Sequence, residues 1–214
     1  MDELSQLEKI LLGAVPVVFA ITVHEVAHGW VANQLGDPTA RMRGRLTLNP
    51  LKHIDPIGTV ILPAILLSFS HFVFGWAKPV PVDWRNLRRP KRDMALVAAA
   101  GPAANLAMLL GWAAFAALLA SAGLAAGPLY FMAAIGILIN AVLMVLNLLP
   151  LPPLDGSRVV AALLPGSSAR QYGRLERWGL LILLVLMFSG ALTWLLEPLV
   201  GVLVNAIGVL FNLP

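Results

Sequence analysis

The sequence predicts an all-α polytopic membrane protein with about five to six transmembrane helices, a re-entrant segment and short β-strands at the membrane surface. Three observations predict this class: 59% of the 214 residues are hydrophobic, only 12% are charged, and long apolar runs recur along the chain. Because soluble domains carry about 25% charged residues, the composition leaves no room for a sizeable soluble domain. We therefore expect residues 1–214 to form a single integral-membrane domain.

Six apolar segments follow one another along the chain, and most are long enough to cross a hydrocarbon core of about 30 Å as helices. They are Ile10–Leu35, Ile57–Trp76, Met94–Ala120, Pro128–Leu149, Trp178–Leu196 and Pro198–Leu213. The last two are separated at Glu197-Pro198 and form a C-terminal helix pair, which we place at about residues 175–213.

Two short stretches on either side of the second apolar segment predict the surface strands. Polar and apolar residues alternate within Arg41–Pro50, a period of two that suits a short strand. Lys78–Val82 reads K-P-V-P-V, and its prolines favour extended backbone but restrict it to a sheet edge. We expect the two stretches to pair at the membrane surface.

Cysteine content and charge placement exclude several functions. The chain has no cysteine, which excludes thiolate zinc ligands, disulfides and thiol redox chemistry. Its net charge is +4, but the basic residues flank apolar segments, where the positive-inside rule places them. The charge therefore does not indicate nucleic-acid binding.

The first apolar segment contains H-E-V-A-H at His24–His28. Positions i and i+4 of a helix share a face about 6 Å apart along the axis, so His24 and His28 can bind one Zn²⁺ with Glu25 beside them as a general base. Alternatively, both are buried helix histidines with ordinary hydrogen-bond partners. That alternative leaves Glu25 unexplained at a depth where a charge costs about 2.5–3.5 kcal/mol, so we favour a metal site.

A second motif, N-L-L-P-L-P-P-L-D-G, covers Asn147–Gly156. A helix arriving from Pro128 cannot continue normally through the three prolines, and broken backbone at membrane depth is tolerated where it is buried in protein or lines a wet cavity. Asp155 lies just past this break. Two histidines and one carboxylate form a catalytic zinc site with an open coordination position. The alternative is an interfacial turn with a solvated Asp155.

These two motifs make the chain similar to the site-2 proteases, a family of intramembrane zinc metalloproteases, in a compact form without a PDZ or other soluble regulatory domain. The sequence A-G-P-A-A-N at Ala100–Asn105 also resembles a family element. Asn105 would then either contribute to the site or form an interhelical hydrogen bond.

The resemblance implies one Zn²⁺ per chain, held by His24, His28 and Asp155. It also implies that Glu25 is the general base and that Asn147 holds the substrate backbone or the developing oxyanion. The catalytic core would cover about residues 10–160.

The resemblance further implies that the protein hydrolyses peptide bonds within or near transmembrane segments of membrane proteins, in regulated intramembrane proteolysis. Its partners would be a transmembrane protein substrate and the lipid bilayer, not nucleic acid. The alternatives are a catalytically silent relative and a zinc-binding membrane protein that is not a protease, such as a metal transporter. A silent binder does not need Glu25, and a transporter needs further acidic or His residues across the bilayer, which the apolar segments hardly supply.

The two motifs also predict the topology. For His28 and Asp155 to reach one zinc, the chain between them must cross the membrane an even number of times. Because Met94–Ala120 and Pro128–Leu149 account for two crossings, Ile57–Trp76 should enter and return on one side rather than span.

Fourteen of the 15 basic residues then share that side, and Lys9 alone lies opposite. The positive-inside rule makes this side cytoplasmic, so we expect the active site to lie nearer the cytoplasm. We expect the protein to be in the inner membrane of a bacterial or archaeal cell. His53, Asp55 and His71 lie in or beside Ile57–Trp76. We expect them to be interfacial or hydrogen-bonded, with support of the metal site or gating as the alternative.

Overall fold

The computed structural model describes residues 4–61, 65, 75 and 77–213. This part of the chain is helical and contains no β-strand, which confirms the predicted all-α class. Eight α-helices occur in it: α1 (Gln6–Gln34), α2 (Thr39–Met42), α3 (Pro90–Ser121), α4 (Pro128–Leu148), α5 (Asp155–Leu163), α6 (Gly166–Gly173), α7 (Glu176–Phe188) and α8 (Ala191–Leu210). Short 3₁₀ turns cover Pro50–His53 and Trp84–Asn86, and a π-helical turn covers Pro56–Ile61.

Four helices within the described ranges are long and apolar enough to cross a membrane: α1, α3, α4 and α8. The predicted count of five to six spans is not supported there. Helix α7 has 13 residues, a length of about 20 Å against a hydrocarbon core of about 30 Å.

The predicted division of the C-terminal pair was also wrong. The chain breaks at Gly190, whose φ of 76° is in the left-handed region that glycine adopts at little cost. Glu197 and Pro198 lie inside α8 instead. A membrane helix tolerates an internal proline because neighbouring groups can satisfy the freed carbonyl, so this proline did not mark a helix end.

The predicted surface strands do not form. Arg41 and Met42 end helix α2, and Gly44 turns the chain with a φ of 62°. The carbonyl of Lys78 accepts its hydrogen bond from the side chain of Arg45, at 2.8 Å, rather than from a strand partner. The alternation over these few residues therefore did not indicate a β-ladder.

The largest apolar core lies between α3, α4 and α8. Its buried side chains are Leu109, Ala113, Ala116, Leu119, Tyr130, Ala133, Ile137, Ala141, Val200 and Ile207. Many are alanines, which let membrane helices approach closely. At Gly136 the approach is closer still, because a Cβ there would lie 2.4 Å from Cδ2 of Trp112.

The chain segments before and after residues 57–76 meet at one end of α1 and α3. The amide of Arg88 donates to the carbonyl of Leu35 at 3.1 Å. The buried carboxylate of Asp37 accepts from the Asp83 amide at 2.7 Å and from Asn86 Nδ2 at 2.9 Å. Burial raises the pKa of Asp37, but hydrogen bonds from Asn86 and Thr39 outweigh this effect and hold that pKa below its usual value.

Most of Ile57–Trp76, including His71, lies outside the described residues. The re-entrant course of this segment and the role of His71 therefore stay predictions.

Candidate metal centre

Three side chains from the two sequence motifs converge beside α3. Nε2 of His24 lies 3.1 Å from Nε2 of His28, and each of these nitrogens lies 3.2 Å from Oδ2 of Asp155. These residues form the group in the described part of the chain that could hold a metal ion. The structure thus brings together the three side chains that the sequence predicted as ligands.

The opposite nitrogen of each imidazole faces an oxygen. Nδ1 of His24 lies 2.5 Å from Oδ1 of Asn105, and Nδ1 of His28 lies 2.7 Å from the carbonyl of Val97. A carbonyl oxygen only accepts hydrogen bonds, so each imidazole donates from Nδ1 and directs the lone pair of Nε2 toward Asp155. This arrangement fixes the tautomer that metal-binding histidines need.

Asn105 is itself held in place by a chain of hydrogen bonds. Its Nδ2 donates to Oδ1 of Asn140 at 2.9 Å, and Nδ2 of Asn140 donates to the carbonyl of Gly136 at 2.8 Å. Both asparagines are fully buried. The interhelical hydrogen bond and the contribution to the site, which we had weighed as alternatives for Asn105, therefore occur together.

The donor set fits zinc. Oδ2 of Asp155 is buried without a hydrogen-bond donor, and the two Nε2 atoms beside it carry lone pairs, so three electron-rich atoms face one another. Buried polar atoms are costly unless they are paired or bind a metal. Tetrahedral zinc with bonds of about 2.0 Å separates its ligand atoms by about 3.3 Å, which agrees with the three observed distances.

Two glycines allow this convergence. A Cβ at Gly101 of α3 would lie 2.5 Å from Cε1 of His24 and 2.5 Å from Nε2 of His28, so only glycine lets α3 pass beneath both rings. A Cβ at Gly156 would lie 2.3 Å from the carbonyl oxygen of Leu148. The missing side chain therefore lets α5 begin against the end of α4, which brings Asp155 back to the histidines.

The metal-binding group opens into a cavity of about 350 Å³. Glu25 lines this cavity, and its Oε2 accepts a hydrogen bond of 2.7 Å from the Val80 amide. Asn147 also lines it, with its Nδ2 donating to the Leu143 carbonyl of its own helix at 3.0 Å. The walls between these polar groups include Pro79, Val82, Trp84, Val97 and Pro153.

His53 and Asp55 are hydrogen-bonded residues away from the cavity lining. His53 is buried, and its Nε2 lies 3.0 Å from the carbonyl of Thr47. Oδ1 of Asp55 accepts from the amides of Ile57 and Gly58 at 3.0 and 2.7 Å, at the start of the π-helical turn. Both contacts agree with the hydrogen-bonded role that we expected first.

Comparison with known proteins adds an independent observation. The sequence profile described as "Peptidase family M50" matches residues 115–190. The protein named "Putative zinc metalloprotease YwhC" from Bacillus subtilis is 37% identical over 195 residues, which cover 87% of this chain and 84% of that relative. The chain belongs to peptidase family M50. The resemblance to site-2 proteases is thereby confirmed, and the chain is a zinc metallopeptidase embedded in a membrane.

Two relatives with the same description, both called Rip2, extend this comparison. The Mycolicibacterium smegmatis protein is 33% identical, over 84% of this chain and 68% of the relative. The Rip2 of Mycobacterium tuberculosis strain H37Rv is 29% identical, over 83% of this chain and 70% of the relative. No solved structure matches the chain.

Sequence reasoning missed several parts of this M50 site. An Asn in an apolar helix is a signal for a buried polar contact, so Asn140 could have been identified. The carbonyl of Val97 and the amide of Val80 are main-chain groups, which have no sequence signature. Gly101 was visible within A-G-P-A-A-N, but its contact with both imidazoles needed the structure.

Proposed function

We propose that this M50 peptidase is an intramembrane endopeptidase that hydrolyses peptide bonds within or near transmembrane segments of other membrane proteins, in regulated intramembrane proteolysis. The observation that carries the proposal is the position of the metal-binding group and Glu25. Both belong to a cavity whose walls come partly from α1 and α3, which are long and apolar enough to cross a membrane. A peptide bond that reaches this cavity must come from a segment at or near the bilayer.

His24, His28 and Asp155 would hold the zinc ion, which supplies a Lewis acid that activates water and polarises the scissile carbonyl. Glu25 accepts a proton from the attacking water while the water oxygen bonds to the carbonyl carbon. The C–N bond then breaks, and Glu25 returns that proton to the leaving amine. Asn147, on the cavity wall, would donate its remaining N–H to the substrate carbonyl as negative charge develops on it.

The substrate backbone must be extended at the bond that is cut, because a helical carbonyl is already hydrogen-bonded within its own helix. The cavity wall formed by Pro79, Val80 and Val82 is non-helical backbone. We propose that an unwound segment of a transmembrane substrate lies along this wall.

We also propose that the site faces the cytoplasm in a bacterial or archaeal inner membrane. The described contacts between residues 35–39 and 83–88 support one common side for these loops. That side holds most of the basic residues, which the positive-inside rule assigns to the cytoplasm.

Because the chain has no native cysteine, Met42→Cys, Arg85→Cys and Ala122→Cys can be labelled cleanly in intact cells. The first two should be shielded from an impermeant thiol reagent, whereas Ala122→Cys, between α3 and α4, should react.

The function is tested by comparing membrane proteomes of cells that express the wild type or Glu25→Gln. Gln is nearly isosteric but cannot act as a base, and loss of general-base catalysis lowers the rate by about 10²–10⁴-fold. We expect fragments cut in or next to transmembrane segments only with the wild type, and equal zinc in both proteins. Identical fragments from both would refute the proposal, and a bound zinc with transport but no cleavage would favour a transporter.

A further inference from the structure

Arg45 is a buried cation that the proposed mechanism does not use. Only 8% of this residue is exposed. Its Nη2 donates to the Lys78 carbonyl at 2.8 Å and lies 3.5 Å from the Pro79 carbonyl, whereas its Nε is buried without an acceptor. Arginine is seldom buried unless it is paired. Here the pairing partners within the described chain are two successive backbone carbonyls.

The same stretch of backbone holds the proposed general base. The Pro79 carbonyl and the Val80 amide belong to one peptide group, and that amide donates to Oε2 of Glu25 at 2.7 Å. Pro79 and Pro81 have no N–H, so Val80 supplies the sole backbone donor of these three residues. One face of the peptide therefore binds a cation, and the opposite face binds a carboxylate.

Gly29 makes this contact possible. It lies one helical turn after Glu25 on the same face of α1, and a Cβ there would lie 2.6 Å from Cγ1 of Val80 and 2.7 Å from Cδ2 of Leu46. The absent side chain thus lets the Val80 backbone approach α1 beside Glu25, while Arg45 holds the same backbone from the other side.

We propose that Arg45 is a positioning residue that acts through the Pro79–Val80 peptide to hold Glu25 in the catalytic cavity. The guanidinium fixes the Lys78 and Pro79 carbonyls and polarises the peptide, which strengthens the Val80 N–H as a donor. The inference rests on the proposed role of Glu25 as general base, but the contact itself can be measured without activity.

Hydrogen exchange measures the contact directly. In residues 79–81 only Val80 has an exchangeable backbone amide, so exchange assigned to this stretch by comparing overlapping peptides in mass spectrometry reports on one hydrogen bond. We expect slow exchange in the wild type and at least about tenfold faster exchange in Arg45→Gln and in Glu25→Ala. The matched control is Arg43→Gln, which removes an exposed arginine from the same loop and should leave Val80 exchange unchanged.

Catalysis provides the second measurement, with fluorescein-labelled β-casein as a disordered substrate probe. We expect Arg45→Gln to lower kcat at least about tenfold with KM changed less than twofold and zinc content unchanged, and Arg45→Lys to restore part of kcat.

Should Arg45→Gln not fold, Val80→Pro, which removes the N–H, is compared with Val80→Ala, which keeps it. Relative to Val80→Ala, the proline variant should lower kcat at least about tenfold, and adding Arg45→Lys to the proline variant should then have no further effect because both changes act through one contact.

The proposal is overturned if Arg45→Gln matches Arg43→Gln in both Val80 exchange and kcat, or if Val80→Pro matches Val80→Ala. A different result marks failure of the proposed function instead. If Glu25→Gln cleaves casein as fast as the wild type, Glu25 is not the base, even where exchange shows that Arg45 still holds the Val80 peptide.

Discussion

The two halves of α3 use one row of residues at four-residue spacing for two different purposes. In the first half, Val97, Gly101 and Asn105 lie against the imidazoles of α1, and each contact orients a ring or makes room for it. In the second half, Leu109 and Ala113 continue the same four-residue spacing into the apolar core with α4 and α8. The first half sets the positions of the imidazole rings, and the second half packs in the apolar core.

This difference determines what a substitution should change. Near the imidazoles, a displacement of a few tenths of an ångström moves ligand atoms, so metal binding should fail before the fold does. In the apolar half, a lost contact lowers the free energy of unfolding but leaves the three ligands where they are. Variants in the two halves should therefore separate zinc content from stability.

We expect the largest effect from Gly101→Ala, which should abolish stoichiometric zinc binding. The added Cβ would lie 2.5 Å from atoms of both His24 and His28, a separation that forces the rings or the helix apart. Metal analysis of the purified protein in detergent measures the effect. One zinc per chain in Gly101→Ala would show that this half of α3 tolerates displacement, and the distinction between the halves would fail.

The second largest effect is expected from Leu109→Ala in the apolar half. Leu109 is fully buried, and truncating such a side chain lowers the free energy of unfolding by about 2–5 kcal/mol. A denaturant titration in mixed micelles measures this change, with Leu118→Ala as the control because Leu118 is 66% exposed. Zinc content should stay at one per chain. Loss of zinc from folded Leu109→Ala would mean that packing in this half also sets the ligand positions.

A smaller effect on metal affinity is expected from Asn105→Leu. Leu has a similar volume but cannot accept from Nδ1 of His24, and losing such a partner lowers metal affinity about 10–100-fold. Competition with a zinc chelator measures the affinity, and Leu106→Ala on the neighbouring face is the control. An unchanged affinity would show that packing alone orients the His24 ring.

The candidate ligand residues could be predicted from the sequence because their signals are local. His24 and His28 are one helical turn apart. The prolines before Asp155 require a break in the helix, and a carboxylate just past that break is costly unless it is paired or binds a metal. The partners that orient the ligands are distant in sequence and include main-chain groups such as the Val97 carbonyl. Only packing of α1 against α3 identifies them.

The errors in the fold have a similar physical origin. A proline in an aqueous helix marks an end, but Pro198 is accommodated inside α8 because a membrane helix can satisfy the freed carbonyl. Around Arg45 the polar alternation forms no strand, and the Arg45 guanidinium, instead of a backbone ladder, donates to the Lys78 and Pro79 carbonyls. Hydrophobic periodicity alone predicts neither that α8 continues through Pro198 nor that Arg45 binds backbone carbonyls.

The smallest effect, and one of opposite sign, is expected from Gly111→Ala. A Cβ at Gly111 would meet no atom within 4 Å, and alanine is favoured over glycine inside a helix by about 0.5–1 kcal/mol. The free energy of unfolding should therefore rise by about that amount, with zinc content and cleavage unchanged. Gly136→Ala is the matched contrast, because its Cβ would lie 2.4 Å from Trp112 and should destabilise the protein. Destabilisation by Gly111→Ala would mean that another molecule packs against α3 at Gly111. The apolar half of α3 would then also be under positional constraint.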